Sequence, residues 1–209
     1  MTWDPSTDEA AQAGLERCEA VLAKVGARAQ ALVTFERGHS ALTRFANSRI
    51  HQNVASDEEH VRLRVIVGEG QVAQATPTRT DPESLDRLVE QTLAAAALRP
   101  ADPEFPGLAE PAELADVDHW DDATAAADPD ARAAVVADFV AAGDGMESAG
   151  YCSTDAAVHV LATSTGIRCT SRYAMAQLDG IHRAPTAAGG PSDGYAQATS
   201  QRLAALDGG

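Results

Sequence analysis

The chain has 209 residues, of which 44% are hydrophobic, enough for a packed core in one large domain or two small ones, so global disorder is excluded. Its formal charge of -15, from 16 basic and 31 acidic residues, sets up a mean field that repels phosphate, and direct nucleic-acid binding is not expected. No run of about 18 apolar residues occurs, so no transmembrane helix is expected, and Met1-Thr2-Trp3-Asp4-Pro5 lacks the basic and apolar segments of a secretory signal, which makes a cytoplasmic address the expectation.

Ser6-Thr7-Asp8-Glu9 reads as a capping box opening a helix whose apolar stripe is Ala11, Leu15, Cys18, Leu22 and Val25, with Gly26 as its stop. Residues 31–35 alternate as a strand, and Arg37-Gly38-His39-Ser40 reads as a turn. Residues 41–46 and 50–56 form a hairpin around Asn47-Ser48, and Asp57-Glu58-Glu59 turns the chain again. Val61, Leu63, Val65 and Val67 then make a half-buried strand, and Gly68-Glu69-Gly70 leads into a short strand over residues 71–76. A second helix follows, capped by Thr80 or by Asp81 with Pro82 in its first turn, with Leu85, Leu88, Val89, Leu93 and Ala96 facing inward and Arg99-Pro100 ending it.

Residues 101–130 carry ten Asp or Glu and no Lys or Arg, and with Pro100, Pro103, Pro106 and Pro111 they read as an acidic, Pro-rich linker. Phe105 and Leu108 are expected to pin it to the first unit, and Trp120 to the second. Asp128-Pro129 starts a further helix with Val135, Val136, Phe139 and Val140 inward and Gly143 as its stop. Strands are expected over residues 148–153, 156–164, 167–173 and 174–180, then a Gly/Pro/Ser-rich loop over 185–194, then a helix beginning in 198–206 that lacks a partner. The chain therefore reads as α+β, with antiparallel sheets each flanked by helices, in two consecutive α/β-meander units with a possible pseudo-repeat. The expected division is 1–99, a linker over 100–128, and a second unit over 129–209 that is truncated at its carboxyl end.

Chemistry-bearing motifs are sparse. Cys18, Cys152 and Cys169 are an odd set without a CxxC spacing, read as reduced and buried rather than as a disulfide framework. No GxSxG occurs, and Gly68-Glu69-Gly70 lacks the third glycine and the following helix of a dinucleotide loop. Asp116, Asp118, Asp121 and Asp122 lack the spacing of a calcium loop and read as solvated linker. Arg44, Arg49, Arg62 and Arg64 fall on adjacent strands, either paired with acids such as Asp57, Glu58 and Glu59 or forming a surface for a peptide or acidic partner.

Phe45-Ala46-Asn47, Ile50, Arg64-Val65-Ile66, the helix after Asp81-Pro82-Glu83, and Asp102-Pro103-Glu104-Phe105-Pro106-Gly107-Leu108 together resemble the amino-terminal domain of the TldD/PmbA family, and Gly166 fits as well. Ala73 stands where members often carry glycine, and Thr163 and Ser164 where asparagine is common. The resemblance implies a cytosolic zinc metallopeptidase or its non-catalytic partner subunit, a hetero- or homodimer acting on unfolded peptides, with the gyrase-modulator name an indirect effect. The family's zinc motif is HExxxH with a downstream cysteine. His39, His51, His60, His119, His159 and His182 are each followed by a residue other than Glu, and no two are three to five apart. No catalytic, cofactor or metal residue is thus transferred, and zinc is expected in the carboxyl-terminal part of the family's catalytic subunit. The function expected is a non-catalytic amino-terminal part contributing scaffold, subunit interface and peptide chamber, with strand edges such as residues 50–56 accepting a peptide; the alternative is a self-contained α+β protein- or peptide-binding module.

Overall fold

The computed structural model describes residues 8–115, 117–184, 190 and 192–206. The elements are α1 (Asp8–Val25), β1 (Gln30–Ala46), β2 (Arg49–Val67), β3 (Gln71–Ala75), α2 (Pro82–Ala97), α3 (Asp122–Ala125), α4 (Pro129–Ala142), β4 (Glu147–Thr163), β5 (Arg168–Ala184) and β6 (Ser192–Ser200). The strands hydrogen-bond in the order β3-β2-β1-β4-β5-β6, an antiparallel arrangement within an α+β fold. A helix, a long hairpin and a short edge strand recur in each half of the chain, which gives the expected pseudo-repeat its structural form.

Residues 37–40 and 57–59 are not turns. They lie inside β1 and β2, whose 17 and 19 residues run unbroken. Gly38 signals a close approach instead: a Cβ there would lie 3.0 Å from the Ala157 Cβ and 3.2 Å from the Ala156 carbonyl oxygen. The expected breaks at 154–155 and 173–174 are likewise interior to β4 and β5. Compact units divide the chain within these same four strands. One takes Met1–Arg37, Glu58–Val117 and Val158–Ser171; the other takes Gly38–Asp57, Asp118–Ala157 and Arg172–Gly209. Both are discontinuous in sequence, in contrast to the expected run of 1–99, 100–128 and 129–209. Long strands that continue from one unit into the other are the reason, since sequence reading places a boundary where a strand is thought to stop.

In the first unit, α1 and α2 cover one face of the sheet. Cys18, Val21 and Val25 of α1 and Leu85, Leu88, Val89 and Ala96 of α2 pack with Val33, Phe35, Val61, Leu63, Val65, Val158 and Val160. Each Val, Leu or Phe among them contributes roughly 1.5–3 kcal/mol when fully buried. The α1 stripe is rotated from the expected one: Val21 is buried and Leu15 and Leu22 are half-buried. Gly14 sets the rotation, because a Cβ there would lie 2.7 Å from the Phe35 ring. The Ser6 cap lies outside the described residues. Asp81 caps α2, accepting from Ser84 N, while Thr80 Oγ1 donates to Glu59 instead. The start of the acidic segment is held to this unit by Asp102 N donating to the Glu69 carbonyl and Leu108 N donating to Gln30 Oε1.

In the second unit, Phe45, Val135, Val136, Phe139, Cys152, Ala176, Leu178, Leu203 and Leu206 form the core. The acidic segment is more than linker here: Asp121 caps α3, and Trp120 lies under the Arg172 guanidinium at 5.1 Å. The expected loop through residue 194 and unpartnered helix over 198–206 are both corrected. Residues 192–200 are β6, paired with β5 from Ala184↔Ser192 to Ala176↔Ser200, and Leu203 and Leu206 then enter the core. An edge strand largely exposed on both faces has no apolar alternation by which to be read.

No described helix is long and apolar enough to cross a membrane.

Candidate functional site

In the second unit, β2 has an uncovered edge. β3 pairs with β2 only from Leu63 to Val67, and residues 49–58 are exposed throughout. Among the described residues no strand lies against the outer side of β2 over 49–57, so alternate N–H and C=O groups there point away from the sheet. Ile50 and Val54 add apolar surface at 40% and 45% exposure. The hairpin that projects this edge turns at Asn47 and Ser48, with φ of 50° and 57°, as the sequence predicts.

Behind the edge lies a buried polar relay. Arg132 occupies the first inward position of α4, in helical register with Val135, Val136 and Phe139, and is 2% exposed. Its Nε donates to Thr43 Oγ1 at 3.2 Å, and its Nη1 to the Ala127 carbonyl at 2.9 Å and Thr154 Oγ1 at 3.1 Å. Thr43 Oγ1 in turn donates to Asn53 Oδ1 at 2.5 Å. Burial lowers the Arg132 pKa from its ordinary value, opposed by Cys152 and Asp128. On the opposite side of Thr43's strand, a shallow depression of about 310 Å³ is lined by Ser40, Leu42, Val54, Ser56, Ser153 and Asp155, with Ser40 Oγ donating to Asp155 Oδ1 at 2.6 Å.

The first unit holds a groove of about 670 Å³ lined by Thr34, Glu36, His60, Arg62, His159 and Cys169 among others. His159 Nε2 lies 3.4 Å from Glu36 Oε1, and His60 Nε2 pairs with Glu58 Oε2 at 3.0 Å.

The four arginines singled out in the sequence are all exposed, but they divide between the units: Arg44 and Arg49 lie in the second, Arg62 and Arg64 in the first. Arg64 Nε donates to Gln74 Oε1 at 3.1 Å, and Arg62 lines the groove. The expected pairing with acids 57–59 does not form. Asp57 pairs with His39 at 2.8 Å, Glu58 with His60, and Glu59 with Arg17 at 3.0 Å. Sequence reading missed Thr43, Asn53 and Arg132. The available signal was an arginine at a core position of the α4 stripe.

Cys18 and Cys152 are fully buried and free, and Cys169 is half-buried. Burial pushes the Cys18 thiol up to about 12, with Arg168 and Arg17 opposing, and the Cys152 thiol up to about 11, with Arg132 opposing. A thiol titrates lower when unfolded, near 8.5. The unfolded chain therefore loses these protons first, and stability present below about pH 8.5 falls as the pH rises toward 11 and 12. Alkylation of the folded protein at pH 8 is expected to modify Cys169 first and to reach Cys18 and Cys152 only on unfolding. Mass mapping of the adducts checks this; early labelling of Cys152 would contradict it.

Residues 31–96 match the family model described as PmbA/TldA metallopeptidase domain 1. No curated protein matches the chain. Among solved structures, the chain is similar to TldE from Thermococcus kodakarensis at 14% identity and TM-score 0.74, covering 95% of this chain and 45% of that one. It is similar to a candidate modulator of DNA gyrase from Bacteroides thetaiotaomicron at 12% identity and TM-score 0.79, covering 93% and 46%. A third such protein, from Thermotoga maritima, matches at 11% identity and TM-score 0.74, covering 94% and 45%. The chain thus spans less than half the length of these proteins, and at these identities the likeness is one of fold.

Proposed function

We propose that this chain, whose residues 31–96 match the model of PmbA/TldA metallopeptidase domain 1, is a non-catalytic amino-terminal part of a TldD/PmbA-type metallopeptidase or of its partner subunit. It supplies scaffold, subunit interface and one wall of a chamber for unfolded peptides, in the cytoplasm. The zinc chemistry belongs to the catalytic subunit's metal motif, and none of these 209 residues is given a catalytic or metal-binding role.

The observation that carries this reading is the uncovered β2 edge over residues 49–57. An extended peptide added there exchanges main-chain hydrogen bonds with no demand on its sequence, which suits a protein acting on unfolded chains. Each bond contributes about 1 kcal/mol net. Roughly eight of them, set against an association cost of at least 4 kcal/mol, leave about 4 kcal/mol or less and predict a dissociation constant of about 1 mM or weaker. Fluorescence anisotropy of a labelled, extended Val/Thr peptide, titrated with this chain with and without added zinc, tests the reading. Binding of equal strength in both conditions, with the peptide intact by mass spectrometry, is expected. Zinc-dependent cleavage by this chain would overturn the non-catalytic assignment.

A further inference from the structure

Arg132 is 2% exposed, yet its hydrogen-bond acceptors are two threonine hydroxyls and one carbonyl, with no carboxylate among them. A guanidinium has only donors, so Thr43 Oγ1 must accept from it and its own hydrogen is left to donate onward. That hydrogen goes to Asn53 Oδ1 at 2.5 Å. The relay thereby fixes which way the Asn53 amide is turned. Its oxygen is committed to Thr43, and its two N–H groups, on an exposed residue of the uncovered β2 edge, have no partner among the described residues. A hydrogen-bond chain that starts at a cation polarises each link in the same sense, so the terminal amide is a strengthened donor.

We propose that Asn53 reads a carboxylate side chain on the peptide that β2 accepts. This rests on the strand-addition reading of residues 49–57. A residue on the added strand directly opposite Asn53 would have its Cβ about 5 Å away, a span that two short side chains close with a hydrogen bond. An ionised acceptor makes the stronger bond to such a donor. Arg49, exposed on the same strand and in the same unit, adds positive charge along the edge. The edge then does more than bind any extended chain: it favours unfolded segments with an Asp or Glu at one register position.

The test walks a single aspartate, alanine or lysine along a labelled Val/Thr peptide and measures binding by fluorescence anisotropy. At one position the aspartate peptide is expected to bind about tenfold tighter than its alanine counterpart. Asn53→Ala erases that preference, so that the aspartate and alanine peptides bind with equal affinity at every position. Asn53→Asp reverses it, so that the lysine peptide binds best. Thr43→Val, which breaks the relay, lowers the preference, and Thr43→Ser, which keeps the hydroxyl, restores it. If the wild type binds aspartate and alanine peptides equally at every position, the role of Asn53 falls while strand addition stands. If no peptide binds at all, both fall.

Discussion

Replacing Phe139 by alanine lowers the unfolding free energy by about 3–5 kcal/mol. The ring is 3% exposed and meets Phe45 edge-on at 5.6 Å between centroids. Its other face stacks on His182 at 4.2 Å. Two glycines make room for this arrangement. A Cβ on Gly180 would lie 2.7 Å from the Phe139 ring, and a Cβ on Gly150 would lie 2.1 Å from the Asp179 carbonyl oxygen and 2.9 Å from the Phe45 ring. Truncating the ring therefore leaves a cavity bounded by β4, β5 and α4, and the strand backbones cannot close it without moving the His182 side. Filling from the other direction fails too: Gly150→Ala pushes against backbone, not a flexible side chain, and is expected to cost about 1–3 kcal/mol. Urea denaturation followed by circular dichroism measures both. A Phe139→Ala loss below about 1 kcal/mol would mean that the ring is not the keystone of this core.

Arg132→Ala is expected to cost about 2–4 kcal/mol, through three acceptors left without a donor and the packing of the lost stem. Removing a desolvated charge works in the opposite direction, which keeps the loss below what breaking a buried ion pair would give. Arg132→Lys separates the contributions. A lysine restores charge and part of the stem but cannot hold Thr43 through one nitrogen and Ala127 and Thr154 through another. It should recover packing yet remain about 1–2 kcal/mol short of the wild type. Full recovery by lysine would show that charge alone matters and that the forked geometry does not.

Local chemistry carried much of this fold into the sequence. Asp81 and Asp128 with their following prolines marked two helix starts, and Asn47-Ser48 marked the hairpin. The inward stripes of α2 and α4 were legible from spacing alone. What failed was continuity. Gly38 and the acids at 57–59 carry turn-like composition, but Gly38 marks a close strand approach, Asp57 pairs across to His39, and Glu58 and Glu59 pair with His60 and Arg17. β6 was missed because its exposed faces impose no alternation. The candidate site was half legible. The edge over residues 50–56 was flagged from its strand pattern, whereas the relay behind it depends on side chains 89 and 10 residues apart in sequence meeting across β1. Nothing local to Thr43 or Asn53 announces that contact; Arg132 in an apolar stripe was the one clue.

Uptake of an extended peptide by the β2 edge is the central event. Amide hydrogen exchange, with and without a saturating extended peptide, tests this residue by residue. The prediction is slowed exchange at alternate amides within residues 49–57, those that point away from β1, with little change in α1 or α2. Bound peptide with unchanged exchange over 49–57, and protection confined to β6 or to the Glu36–His159 groove, would contradict it.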